Sequence, residues 1–253
     1  YFTKMCSTDR HIDPEVIRSN LKAYKDQFSR EIYDFVYVYL TAFLSKKKFL
    51  ISNSSISERS FAIAALINIE SINVTCSLAK KIFGLTDSMS LKIACLSILI
   101  SKEKGKKQLN SFYCQYEDDI ILMDKWFSIQ AQFCPPKQAE KIIKSLCEHK
   151  KFNLLNPNNF NSVITTFAKM NFSGFNLKDG KGYQLVAEWI QIIDEVNPQV
   201  AARAAKTFEH ISFLPDHYSC KALNSIKNMQ KTKHLSKDTR EIIENIISNC
   251  EKS

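Results

Sequence analysis

Gln199 and Arg203 stand four residues apart in the segment Asn197-Pro198-Gln199-Val200-Ala201-Ala202-Arg203. Asn-Pro is a helix start: the asparagine side chain caps free backbone N–H groups, and the proline ring suits the first helical position. On a helix beginning at Pro198 the two side chains share a face. A guanidinium there has the planar fork that grips a carboxylate through two parallel hydrogen bonds. The same residues allow a plainer arrangement, in which Arg203 pairs with an acid such as Glu209 or Glu195 and Gln199 is merely solvated. The residues alone favour that plainer arrangement, because exposed charges find partners easily and at little gain.

Other chemistry is largely missing. The histidines at 11, 149, 210, 217 and 234 lack metal-ligand spacing on one helix, and no His-Glu-x-x-His occurs. There is no Gly-x-Ser-x-Gly elbow and no phosphate-cradling Gly-x-x-x-x-Gly-Lys-Ser/Thr. Gly180-Lys181-Gly182 is too short for a phosphate loop and reads as a turn. Glu117-Asp118-Asp119 precedes an apolar run and reads as a solvated helix start. The eight cysteines form no Cys-x-x-Cys pair, and Cys76, Cys95 and Cys147 read as small core hydrophobes in a reducing compartment. By itself the chain displays no catalytic centre.

The elements that must position these residues read as helix after helix. With 253 residues, 45% of them hydrophobic and 24% charged, the chain can bury a substantial core. Only five glycines and six prolines punctuate it, which argues against turn-rich β folds and glycine-dependent nucleotide folds. Three of those glycines and two prolines fall between Phe152 and Arg203, so a defined backbone shape is expected there. Asp13-Pro14 opens a helix to about Phe28, and Ile32, Phe35, Val36, Tyr39 and Phe43 give a second one with an apolar face, closed by Lys46–Lys48. A helix over 72–83 should stop at a left-handed Gly84. Further helices are expected near 91–99, 109–116, 120–133 and 137–149. Val163–Met170 reads as one helix, and Asp179-Gly180-Lys181-Gly182 as a tight turn opening the next. Helices over 215–229 and 236–249 close the chain. No strand is expected, and no apolar run approaches the roughly 20 residues that span a bilayer. Short helices with one apolar face each must stack on their neighbours, so the fold class is all-α, a solenoid-like superhelix of stacked pairs in the manner of HEAT or ARM repeats. The net charge of +9 is scattered rather than striped, which weighs against nucleic acid as a partner.

Leu122-Met123-Asp124-Lys125-Trp126-Phe127-Ser128-Ile129-Gln130-Ala131 resembles the Met-Asp-Lys-Trp-Phe-x-x-Gln-Ala block of the M1-family metalloaminopeptidases, in the aminopeptidase N branch of bacteria, plants and apicomplexan parasites. The resemblance continues in order through His149, Phe152, Asn156-Pro157-Asn158, Phe167-Ala168, Asp179-Gly180-x-Gly182-Tyr183 and Asn197-Pro198-Gln199-Val200-Ala201-x-Arg203, and ends at Leu235-Ser236. It implies that residues 1–253 are a single C-terminal helical domain of a larger enzyme that removes N-terminal amino acids from peptides. The zinc of that family, with its His-Glu-x-x-His ligands, lies in a catalytic domain absent from this chain, so no catalytic or metal residue is expected here. The resemblance further implies a bowl that caps the active site and gates access of peptide substrates. Its partners are the N-terminal catalytic domain and peptides, with no membrane and a cytoplasmic location. Gln199 and Arg203 match positions that face the family's internal cavity, and Asn161 stands where many relatives carry a cavity-lining arginine. Asp124, Lys125 and Trp126 are expected to be structural, as are Tyr183 and the glycines before it. The competing expectation is a free-standing helical-repeat scaffold that binds an acidic protein or nucleic acid, motivated by the positive charge.

Overall fold

A computed structural model describes residues 13–45, 55–70, 72–231 and 235–252. Every regular element among them is helical. The order is α1 (Pro14–Ser45), α2 (Ile56–Asn68), α3 (Thr75–Leu85), α4 (Met89–Ser101), α5 (Lys106–Tyr116), α6 (Ile120–Phe133) and α7 (Ala139–Cys147). Then come α8 (Pro157–Phe160), a π-helical turn (Asn161–Thr165), α9 (Thr166–Met170), α10 (Phe172–Phe175), α11 (Lys181–Asp194), α12 (Pro198–Ala205), α13 (Asp216–Gln230) and α14 (Lys237–Lys252). Short 3₁₀ turns precede α7 and α13. No helix among the described residues is long and apolar enough to cross a membrane.

The helices gather into two compact units. One takes the first turn of α1, through Arg18, together with Gln130 onward; the other is Ser19–Ile129. In the 19–129 unit, Val36, Leu40 and Phe43 of α1 join Ala62 and Leu66 of α2, Leu78 and Ile82 of α3, and Cys95, Ile98 and Leu99 of α4 in one core. Ser55 caps α2 reciprocally with Glu58, the two-way arrangement that satisfies two free donors at once. Ser29 Oγ donates to the Asn68 carbonyl at 2.6 Å, fastening α1 to the end of α2. Trp126 is 8% exposed, packs on Tyr113 and Phe127, and donates its indole N–H to the Leu109 carbonyl at 3.3 Å. Trp126 is thus a packed aromatic anchor, in keeping with the structural role expected of it.

In the other unit α11 is the organising helix, packed on α7, α10, α12 and α13. Gly180 precedes it with φ +80°, so the expected tight turn needs a residue without a Cβ penalty. Gly182 has a different reason: a Cβ there would lie 2.3 Å from the Phe175 carbonyl oxygen and 2.4 Å from that of Gly174. The first turn of α11 therefore presses directly on the backbone of α10. Tyr183, fully buried, donates to Asn176 Oδ1 at 2.7 Å and packs edge-on against Phe175. These residues shape the turn, as their sequence context suggested.

Three local expectations are corrected. The break expected after Phe28 is absent: α1 runs unbroken across it, and Phe35, placed in the buried face by its spacing, is 71% exposed. Gly84 lies inside α3, which ends instead where Thr86 turns to extended backbone (φ −90°, ψ 140°). The stretch 163–170 is not one regular helix, because the π-turn occupies its first half. The expected closure of the N-terminal helix by Lys46–Lys48 lies outside the described residues.

Candidate functional site

The face carrying Gln199 and Arg203 is built by α12. Asn197 caps it, Oδ1 accepting from Val200 N at 3.2 Å, and Pro198 fills the first helical position. Val200, Ala201, Ala204 and Ala205 form the buried side of this helix. Gln199 and Arg203 both lie on its exposed side. At about 100° per residue, four positions bring two side chains round to within about 40° of each other. Among the described residues neither Glu195 nor Glu209 makes an ion pair or hydrogen bond with the Arg203 guanidinium, while Gln199 is exposed, as the plainer arrangement has it. Among the described residues nothing occupies the guanidinium's planar set of N–H donors.

Asn161 begins the π-turn, and α12 packs against that turn. Its carboxamide is already engaged. Oδ1 accepts from Thr165 Oγ1 at 2.8 Å, while the Asn161 main-chain carbonyl accepts from Thr166 Oγ1 at 3.0 Å. Single π-turns within helices are frequent at functional sites. The two segments are thus neighbours, but no hydrogen bond joins the Asn161 side chain to Gln199 or Arg203. What remains for a ligand at Asn161 is a neutral N–H₂ group rather than a cation.

A second set of residues holds this arrangement and was not singled out from sequence. Asp194, 4% exposed at the end of α11, accepts from Ser236 N and Ser236 Oγ, both at 2.6 Å, and from Thr239 Oγ1. It caps α14, which in turn packs on α12. The signal for it was present: Asp194 follows Tyr183, Val186 and Ile190 at helical spacing, a charge on an apolar stripe. Asn171, 6% exposed, donates through Nδ2 to the carbonyls of Ala131 (3.2 Å) and Cys134 (2.9 Å) and accepts from Gly174 N (2.9 Å). It ties α10 to the end of α6.

Burial shifts three titratable groups near these elements. Burial pushes the Cys134 thiol up to about 12, with the Asn171 side chain opposing. Burial likewise raises Cys147 to about 12, aided by the charge of Glu148. His149 is lowered from 6.5, first by burial and then by the neighbouring cations Lys150 and Lys151. Its Nδ1 accepts from Lys151 N at 3.2 Å, which requires that nitrogen to be unprotonated. Among the described residues no three His, Cys, Asp or Glu side chains gather into a metal-binding group. The described residues therefore offer no set of side chains that would hold zinc.

Comparison with known proteins gives this geometry a context. The family described as "Domain of unknown function (DUF3458_C) ARM repeats" matches residues 3–248. The chain is similar to aminopeptidase N of Haemophilus influenzae, 27% identical over 236 residues that make up 92% of this chain and 27% of the relative. It is also 30% identical over 128 residues to aminopeptidase N of Escherichia coli K12, covering 50% of this chain and 15% of that one. Among solved structures it resembles Legionella pneumophila aminopeptidase A, determined in complex with aspartic acid. That match has a TM-score of 0.82 and 22% identity, covering 98% of this chain and 30% of the other, and shows a shared fold. The chain thus spans less than a third of the length of these relatives.

Proposed function

We propose a role for this chain from one premise: it belongs to the DUF3458_C family of ARM-repeat domains and is the C-terminal domain of an M1 aminopeptidase. In the whole polypeptide it caps the catalytic domain as one wall of an internal cavity, and it gates the entry of peptides and the exit of their products. Hydrolysis belongs to the catalytic domain. There a zinc ion, held by residues outside this chain, would supply the activated water. The contribution of this chain is binding and orientation. Arg203 steers and holds a peptide carboxylate, Gln199 lends an amide beside it on the same helical face, and Asn161 offers neutral donors from the π-turn. A wall that closes over the site also excludes bulk water, which strengthens every charge–charge contact inside it. The same reading places the enzyme in the cytoplasm.

The observation that carries this reading is the Arg203 guanidinium, exposed beside Gln199 and, among the described residues, joined to no carboxylate. A charge-assisted pair with a substrate carboxylate contributes about 1.5–3 kcal/mol. Arg203→Ala in the full polypeptide should therefore lower kcat/KM for short peptides about tenfold or more. Aminoacyl amides without a carboxylate should be hydrolysed nearly as before. Equal losses on both substrate types would remove Arg203 from the cavity. Hydrolysis of aminoacyl amides by the 253-residue chain alone would overturn the division of labour.

A further inference from the structure

Helix α1 carries two apolar faces. The first is buried: Val36, Leu40 and Phe43 enter the core of the 19–129 unit. The second is exposed: Leu21 (51%), Tyr24 (68%), Phe28 (36%), Phe35 (71%) and Val38 (66%). Their spacings of three, four, seven and three residues repeat every two helical turns, so they form one narrow seam. At 1.5 Å per residue the seam is about 26 Å long. The Tyr24 and Phe28 rings stack along it, 6.3 Å between centroids and 5° from parallel. One polar residue interrupts it: Glu31, held by Gln27 Nε2 at 2.9 Å, falls at the vacant position between Phe28 and Phe35.

In an array of stacked helices, an interior helix buries a face against each neighbour, while a terminal one keeps a polar outer face for solubility. The outer face of α1 is that of an interior helix. An uncovered apolar strip of this length marks an interface in a soluble protein. Its two-position repeat every seven residues is the pattern into which the side chains of another helix interdigitate. A lone polar residue in such a seam sets the register of its partner. Most of each relative's polypeptide lies outside the matched segment: the chain covers 27% of the Haemophilus enzyme and 30% of the Legionella structure. We propose that the seam Leu21–Val38 seats a helix of the same polypeptide, one that precedes this chain, so that α1 is an interior and not a first member of the ARM array. This rests on the chain being the C-terminal part of a longer aminopeptidase.

The test places a photo-cross-linking benzoylphenylalanine in the full polypeptide at Phe35, at Tyr24, or at Arg30, which is exposed but outside both apolar faces. Mass spectrometry then identifies what is captured. Capture from positions 35 and 24 of one helical segment upstream of this chain, without capture of it from position 30, is the expected result. Capture of a second copy, capture of a non-helical upstream segment, or no capture from either seam position overturns the proposal. Hydrolysis of an aminoacyl amide is assayed on the same samples. Activity without the cross-link sinks this proposal alone, and the cross-link without activity sinks the aminopeptidase reading alone.

Discussion

The carboxylate of Asp194, the last residue of α11, caps another helix by accepting both the main-chain N–H and the hydroxyl of Ser236 at 2.6 Å each. Thr239 Oγ1 adds a third donor to the same group. Ser236 Oγ then accepts from Thr239 N at 3.3 Å, so the start of α14 is satisfied by a relay that begins on a different helix. Asp194→Ala leaves buried donors without an acceptor. That change should destabilise the chain by about 2–4 kcal/mol. Asp194→Asn keeps one carbonyl acceptor and should cost roughly half as much. Urea midpoints of the two variants against the parent check the ranking. Equal stability of Asp194→Ala and the parent would show that α14 does not depend on this cap.

The glycines separate cleanly by what a Cβ would meet. At Gly182 it would meet two carbonyl oxygens at 2.3 and 2.4 Å, both main-chain atoms of a packed helix. Gly182→Ala should therefore cost about 2–3 kcal/mol or more, since backbone must move to admit the methyl group. At Gly84 nothing lies within 4 Å and the residue is helical, so Gly84→Ala should stabilise the chain by about 0.5–1 kcal/mol. Thermal unfolding of the two variants should shift in opposite directions.

His149 gives the chain a pH dependence of defined sign. Burial and the adjacent Lys150 and Lys151 lower its folded-state value below 6.5. The unfolded chain therefore binds this proton first as pH falls. Its contribution to stability is complete above pH 6.5 and declines as pH drops through that value toward the folded-state one. His149→Asn retains an acceptor for the Lys151 N–H and cannot titrate, so it should flatten the urea midpoint across this window. An NMR titration that finds the His149 ring at or above 6.5 would contradict the burial argument.

Much of the fold was legible because its helix starts are written in residue types with one physical use. Asn156-Pro157 and Asn197-Pro198 both cap and begin helices as read, and Asp179-Gly180 makes the tight turn. What misled the reading of α1 was its second apolar face. Phe35 and Val36 are adjacent, and periodicity alone assigns both to one core, although they lie on different sides of the helix. The π-turn was invisible because Val163, Ile164, Phe167 and Ala168 keep ordinary helical spacing of buried positions through it. At the candidate site, the shared face of Gln199 and Arg203 followed from counting residues. The open guanidinium did not, since only coordinates show that Glu195 and Glu209 stay away. Asp194 shows locally as a charge on an apolar stripe, but its capping role was passed over because its partners are about forty residues distant.

Asn171 also opens the triplet Asn171-Phe172-Ser173, the acceptor sequence for an N-linked glycan in a secreted protein. The nitrogen that would carry the sugar is Nδ2, and in the fold that atom already donates to the Ala131 and Cys134 carbonyls. It is buried where no oligosaccharide fits. Glycosylation and folding are therefore mutually exclusive fates for this residue. A chain sent through a glycosylating secretory route and modified at Asn171 would lose the tie between α10 and the end of α6, and with it the seat of Gly174 and the start of α11. Production in a host without that modification avoids the conflict, and Asn171→Gln does not, because the longer amide loses the same hydrogen bonds.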